Sequence, residues 1–382
     1  MEKSTISTAA SEYFNRPPDE RFASVDQLIS AAEADQAQSA ERSYNLKDLH
    51  AVPVTSYGSN AGPGVQAESV QLVSPKGQAT FTHWAFGQLC RMIGAPAAYL
   101  RQLSPALAAD CVNEGISGSD VGATATLLVR AANGRPQPTI RSVTSDTYGR
   151  LWDGPLYRAL QGQLGASFAL PPTWEGDGAG GAKREGAYRG DRDSFLVVVD
   201  GGSIVTDPSA ATDGRMYRGL MIRNSEVGAC SVTIEQILFE YICGNHNFWG
   251  AVIDKRFKRR HVGGHVLRDV VREIGSIAQA WTSRSAAQDE QLIKFLIDHE
   301  LASTKDAIVD ELMKMGATKQ TAIAAYDTCE QSALFTASPR SYWGLNQGLT
   351  RLSQGSQYQD ERFDLDGLAG KILARGARLV AA

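Results

Sequence analysis

The spacing of apolar residues changes along the chain, and this change is the strongest constraint on its fold. From about residue 262 to the end, apolar residues recur at helical spacing, whereas residues 46–240 mix helical stretches with short runs typical of buried strands, such as SFLVVVDGG. Four helices are predicted in the later part, over residues 286–300, 304–316, 318–334 and 339–353. We therefore expect an α+β fold with a mixed or antiparallel sheet core, covering helices and a mainly helical C-terminal part.

The same pattern divides the chain into three segments. Residues 1–45 are expected to form a flexible segment followed by a helix, because Ser24 and Gln27 have the spacing of a capping box. Residues 46–280 are expected to form the α+β core domain, and residues 281–382 a helical C-terminal region.

Several local structures are also predicted. The runs TATLLVRAANG and PTIRSVTSDTYG indicate paired strands around a turn at Asn133 and Gly134. Residues 171–193 are rich in glycine and charge, which is typical of a long loop. Residues 234–243 favour a short buried helix, and Pro339 fits the first turn of a helix.

Composition limits the function classes. The 38 Lys and Arg residues against 42 Asp and Glu residues give a net charge of -4, so any affinity for nucleic acid must come from local clusters. The five cysteines form no Cys-x-x-Cys pair, which favours a reducing compartment. There is no apolar leader and no apolar run of membrane-spanning length, so we expect a cytoplasmic protein without membrane contact. No motif identifies a cofactor, which leaves the cofactor unknown.

Several phrases together suggest a family. They are FTHWAFGQLCRMIGAPAAYLRQL, IRSVTSDTYGRLWDGPLYRAL, GLMIRNSEVGACSVTIEQILFEYICGNHNF and NQGLTRLSQ. Over most of residues 80–375, the chain resembles the phage and plasmid proteins grouped as domain of unknown function 932. The positions that carry this family motif are Asn224, Ser225, Glu226, Gly228, Cys243, Asn245 and His261. The chain departs from the family at His246, where a glycine is usual.

The resemblance implies a protein of a mobile genetic element, whose relatives accompany phage and plasmid genes of DNA metabolism. It implies no activity, because the family is defined without one. Interest in nucleic acid follows from this association alone.

A basic segment makes the strongest case for nucleic-acid binding. Between His246 and Arg272 the chain carries seven cations against two acidic residues, and such a cluster binds phosphates and releases counterions. The cations predicted to contact phosphates are Lys255, Arg256, Lys258, Arg259, Arg260 and Arg268. Trp249 or Phe257 would stack on unpaired bases, which favours single strands.

A second basic patch lies in the glycine-rich stretch. Lys183, Arg184 and Arg189 could clamp a strand against the first patch if this stretch is a mobile loop. The alternative for both patches is a solvated surface without a ligand, since runs of charge often have no further role.

Two metal hypotheses remain weaker alternatives. The spacing of Cys243, His246, His261 and His265 resembles that of a zinc finger, but the glycines between the last two histidines disfavour a helix there, and we predict no metal.

The second metal hypothesis involves carboxylates. Glu226 could join Asp200 and Asp207 around Mg²⁺ for phosphodiester chemistry. The motif residues from Asn224 to Gly228 also suit a plain turn, and no nuclease motif supports the magnesium site.

The leading hypothesis is a phage or plasmid protein that binds single-stranded DNA in annealing or recombination. As an annealing protein it would act as a homo-oligomer assembled through its C-terminal helices. The alternatives are a metal-dependent nuclease centred on Glu226, and an interaction factor that binds a host or phage protein, such as an inhibitor of a host defence system. We predict no catalytic residue, and an enzyme is the less favoured reading.

Overall fold

The computed structural model describes residues 20–54, 70–132, 137–171, 186–211, 214–240, 246–247, 257–355 and 359–380. Within these residues the fold is α+β, as predicted, with two sheets and eleven α-helices. None of the described helices is both long enough and apolar enough to cross a membrane.

The larger sheet is antiparallel and has eight strands. They are β1 (Glu20–Phe22), β8 (Phe168–Ala169), β9 (Ala187–Arg189), β10 (Ser194–Thr206), β11 (Arg215–Asn224), β12 (Val232–Glu240), β13 (His246–Asn247) and β14 (Phe257–Arg259). Their order is β1-β9-β10-β11-β12-β13, with β8 paired to β10 and β14 paired to β12. The strand β14 therefore begins the basic part of the chain at one side of this sheet.

The smaller sheet has six strands. They are β2 (Ser39–Asn45), β3 (His50–Pro53), β4 (Val70–Ser74), β5 (Gly77–Phe81), β6 (Thr124–Arg130) and β7 (Thr139–Thr144). Their order is β2-β6-β7-β5-β4-β3, with β5 and β7 parallel and the other described pairs antiparallel. The predicted pairing of β6 with β7 is confirmed, whereas Asn133 and Gly134 lie outside the described residues.

The helices follow capping signals that the sequence carries. Ser24 accepts a hydrogen bond from the amide of Gln27, and Thr82, Ser285 and Ser341 cap later helices in the same way. The helices are α1 (Val25–Ala37), α2 (His83–Met92), α3 (Ala97–Leu100), α4 (Pro105–Ser117), α5 (Asp153–Leu164), α6 (Val266–Thr282), α7 (Ala286–Asp298), α8 (Lys305–Lys314), α9 (Lys319–Glu330), α10 (Tyr342–Gln354) and α11 (Gln359–Ala377).

Each sheet has its own hydrophobic core. One face of the larger sheet packs against α1 and α5 to α11, and this core includes the fully buried Trp281 and Trp343. The smaller sheet packs against α2 to α4 around Phe86 and Leu89. Because helices on both sides of residue 280 share the first core, the predicted boundary at that residue does not separate two cores.

Two local predictions are wrong. Residues 234–240 belong to β12 and not to a helix; every residue of this strand is buried, so the alternation that identifies a half-exposed strand is missing. Pro339 precedes α10, which begins after Ser341 and not at the proline.

Candidate functional site

The motif from Asn224 to Gly228 forms the turn between β11 and β12, and this turn contacts both halves of the fold. Trp84 Nε1 and Gln88 Nε2, both on α2 of the smaller sheet, donate hydrogen bonds of 3.0 and 2.8 Å to the carbonyl oxygen of Val227. Gly228 has a φ of 78°, a conformation that glycine adopts without strain. The turn therefore connects the larger sheet to the helices of the smaller one.

Behind the turn lies a buried set of charges, which we name the junction cluster. Its members are Asp35, Arg141, Asp153, Arg189 and Glu226. Glu226 Oε2 accepts hydrogen bonds from Arg141 Nη1 and Arg189 Nη2, both at 3.0 Å, and its Oε1 accepts one of 3.0 Å from the Asp153 amide. The Glu226 side chain is only 2% exposed.

The two aspartates complete this network. Asp35 Oδ2 lies 2.7 Å from Arg189 Nη2 and 3.0 Å from Arg141 Nη1. Asp153 Oδ2 accepts from Arg189 Nε at 3.1 Å, and its Oδ1 accepts from Ser194 Oγ at 2.6 Å. The cluster joins α1, α5 and strands of both sheets through charge-assisted hydrogen bonds.

The two aspartates differ in their ionisation. Burial and the charge of Glu226 raise the pKa of Asp153 to about 6, although Arg189 opposes the change. Burial also acts to raise the pKa of Asp35, but Arg141 and Arg189 outweigh it and hold that pKa at about 2. Asp35 thus remains a firm anion, whereas Asp153 is held near neutrality by its surroundings.

This geometry favours a structural role for the motif over the magnesium hypothesis. Both carboxylate oxygens of Glu226 already accept hydrogen bonds. Asp207 follows the end of β10 that pairs with Arg215, roughly 30 Å along the sheet from Asn224, and accepts from Trp343 instead. In the part of the chain that the structure describes, no three His, Cys, Asp or Glu side chains are grouped to hold a metal.

Arg189 has to be removed from the predicted nucleic-acid contacts. It belongs to β9, is 8% exposed, and spends its guanidinium on the three carboxylates of the junction cluster. The stretch predicted as one long loop thus contains a strand, because a guanidinium that neutralises buried acids must itself be held inside the protein.

The basic segment begins with β14, where side chains alternate between two sides. Lys258 and Arg260 are exposed, while Phe257 and Arg259 are partly buried. Phe257 packs against the core of the larger sheet, so it does not offer a free ring to a base. The predicted stacking role of Phe257 is therefore not supported.

The start of α6 continues this surface. Arg259 Nη2 lies 3.1 Å from Asp269 Oδ2, which brings β14 next to the first turn of α6. Arg268 is exposed there, beside the acid that Arg259 neutralises. We name Lys258, Arg260 and Arg268 the basic surface; none of the three forms an ion pair among the described residues.

Several predicted residues lie outside the described part of the chain. They are Lys183, Arg184, Cys243, Asn245, Trp249, Lys255 and Arg256. Cys243 being among them, the prediction about zinc stays a prediction.

His261 connects the basic surface to the motif turn. Its ring is 6% exposed and stacks on Tyr148 at a centroid distance of 5.3 Å, and its carbonyl oxygen accepts a 3.1 Å hydrogen bond from the Gly149 amide. The Tyr148 hydroxyl in turn donates to the carbonyl oxygen of Ser225 at 2.9 Å. The basic segment is thus fastened to the turn behind it, which explains a structural requirement for histidine at this motif position.

The surroundings of His261 favour its neutral ring. Burial lowers its pKa to about 4 from the ordinary 6.5, with a further lowering by the charge of Arg150, while the nearby backbone of Gly149 and Cys230 opposes the change. Neither ring nitrogen makes a hydrogen bond. A proton on the ring is therefore taken up mainly by the unfolded chain.

We expect His261 to make stability depend on pH. Its contribution is fully present above pH 6.5 and is lost as the pH falls towards 4, so about 2 kcal/mol should disappear between pH 7.5 and 5. Asp153 acts in the opposite direction, because its raised pKa favours the fold at lower pH. Urea unfolding of wild type and His261→Phe at both pH values isolates the histidine; an equal pH effect in both proteins contradicts the assignment.

The sequence did not reveal the partners of the motif. Asp35, Arg141 and Asp153 lie far from Glu226 along the chain and carry no local signal of a shared site. A hint exists only in Asp153 itself, whose position in WDGP suits the first turn of a helix.

Comparison with known proteins adds no further assignment. No protein-family model matches the chain, and no curated protein and no solved structure shows significant similarity to it.

Proposed function

We propose that this protein binds nucleic acid, with phosphates held by the basic surface of Lys258, Arg260 and Arg268. The observation that carries the proposal is the pairing of charges around β14 and α6. Arg259 neutralises Asp269 and Arg272 lies 3.3 Å from Glu273, so the nearby acids are occupied by other cations. Three exposed cations remain to attract an anion.

The spacing of these cations suits a chain of phosphates. Lys258 and Arg260 point to the same side of one strand, about 7 Å apart, which is comparable to the distance between neighbouring phosphates on one nucleic-acid strand. Arg268 extends the surface on the adjoining helix. Phosphate contacts of this kind are independent of base sequence and sensitive to salt.

The resemblance to phage and plasmid proteins supports the same proposal by association. It favours single-stranded DNA, in annealing or recombination, as the ligand. A nuclease centred on Glu226 is not favoured, because the carboxylate is occupied by the junction cluster.

The test is fluorescence anisotropy with labelled single-stranded and duplex oligonucleotides at low salt. Wild type should bind single strands with micromolar affinity or better. Changing Lys258, Arg260 and Arg268 together to Ala should weaken binding at least about tenfold, since three phosphate contacts are lost.

A matched control changes Lys76, Lys294 and Lys319 to Ala, three exposed lysines away from the basic surface. This variant has the same net charge as the test variant and should bind nearly as wild type. Equal weakening in both variants would assign the effect to total charge. No binding by wild type would overturn the proposal and favour a protein partner for this surface.

A further inference from the structure

We propose that Trp84 is a stacking platform for an unpaired nucleobase, at the end of a path that starts on the basic surface. This inference rests on the proposed function and deepens it, because it names the single-stranded form as the ligand. It also replaces the stacking role predicted for Phe257, whose ring packs against the core.

The ring of Trp84 is held in a defined orientation at the protein surface. Trp84 lies in the first turn of α2, directly after the cap residue Thr82, and is partly exposed. Its Nε1 donates a 3.0 Å hydrogen bond to the carbonyl oxygen of Val227, which fixes the plane of the indole. A fixed and partly exposed aromatic ring loses little freedom when a base stacks on it.

Two guanidinium groups lie close to this ring. The Arg192 guanidinium is 4.5 Å from the ring centroid and that of Arg91 is 5.9 Å away, distances at which a cation is attracted by the ring. Arg91 is exposed. A base that stacks on Trp84 would therefore find cations next to it for its phosphate, which is the combination that binds single strands.

A continuous series of contacts joins Trp84 to the basic surface. Val262, two residues after Arg260 and 52% exposed, pairs with Tyr148 in an isolated β-bridge. A Cβ atom on Gly228 would lie 3.3 Å from the Tyr148 ring, and Val227, which Trp84 contacts, precedes that glycine. One strand can thus lie along this path, with phosphates at the basic surface and a base at Trp84.

The experiment compares Trp84→Leu with Trp84→Phe. Both changes remove the hydrogen bond to Val227, but only the phenyl ring can still stack. We expect Trp84→Leu to weaken binding of labelled oligothymidine about tenfold and to leave the affinity for duplex unchanged, because duplex bases are not free to stack. Trp84→Phe should keep most of the affinity for the single strand.

The controls separate this inference from the proposed function. The salt dependence of Trp84→Leu should equal that of wild type, because no phosphate contact is lost. If wild type binds and both variants bind oligothymidine equally well, the stacking role is wrong while the proposed function stands. If both variants lose single-strand and duplex binding alike, Trp84 is structural and the inference is overturned. If wild type binds no oligonucleotide, the proposed function itself has failed.

Discussion

Replacing Glu226 by Ala is expected to lower the free energy of unfolding by about 3–5 kcal/mol. The carboxylate neutralises Arg141 and Arg189, whose side chains are 2% and 9% exposed. Without it, two guanidinium groups would stay buried with only Asp35 and Asp153 to balance them, and the amide of Asp153 would lose its acceptor. Leaving a buried charge without its partner is among the largest effects that a single substitution produces.

Urea unfolding measures this change. Glu226→Gln serves as a second variant, since it keeps the shape and removes the charge, and it should be less destabilising than Ala. The matched control is Glu33→Ala, because Glu33 pairs with Arg158 at 2.8 Å where both side chains are well exposed. Exposed pairs contribute about 0–1 kcal/mol. Equal effects of Glu226→Ala and Glu33→Ala would show that the junction cluster does not hold the sheets together.

Gly149→Ala is expected to be the second most damaging change. A Cβ atom at Gly149 would lie 2.0 Å from the carbonyl oxygen of Gly263, so the backbone of one segment must move. Overpacking of this kind costs about 1–3 kcal/mol or more. The hydrogen bond from the Gly149 amide to His261 would be disturbed as well, and the basic surface would lose its attachment to the motif turn.

Gly264→Ala provides the comparison within the same segment. A Cβ atom there would have no neighbour within 4 Å, so stability and binding should stay close to wild type. Thermal unfolding measures the first effect, and anisotropy with a single strand measures the second. A Gly149→Ala protein with wild-type stability and affinity would contradict the account of how this segment is fastened.

Much of the fold followed from local signals in the sequence. The cap at Ser24 and the apolar periodicity after residue 262 predicted helices that the structure contains. The prediction failed at β12, because a strand buried on both faces shows no alternation and resembles a buried helix. Local patterns report local environment, and they fail where long-range packing decides.

The candidate site was less accessible from sequence. The charge cluster near β14 was visible, because Lys258, Arg260 and Arg268 stay exposed on the surface. Arg189 looked like a member of a basic loop, since the sequence does not show that Asp35 and Glu226 lie beside it. Charges that are neutralised across long separations can be recognised only once the fold brings their partners together.

The most direct test of nucleic-acid binding by the basic surface is the salt dependence of that binding. Anisotropy with a labelled single strand should give a logarithmic affinity that falls linearly with the logarithm of salt concentration. Replacing Lys258, Arg260 and Arg268 by Ala should reduce that slope by about 2, since each phosphate contact on a single strand contributes about 0.7. A wild-type protein that binds with a slope unchanged by the triple substitution would contradict phosphate binding at this surface.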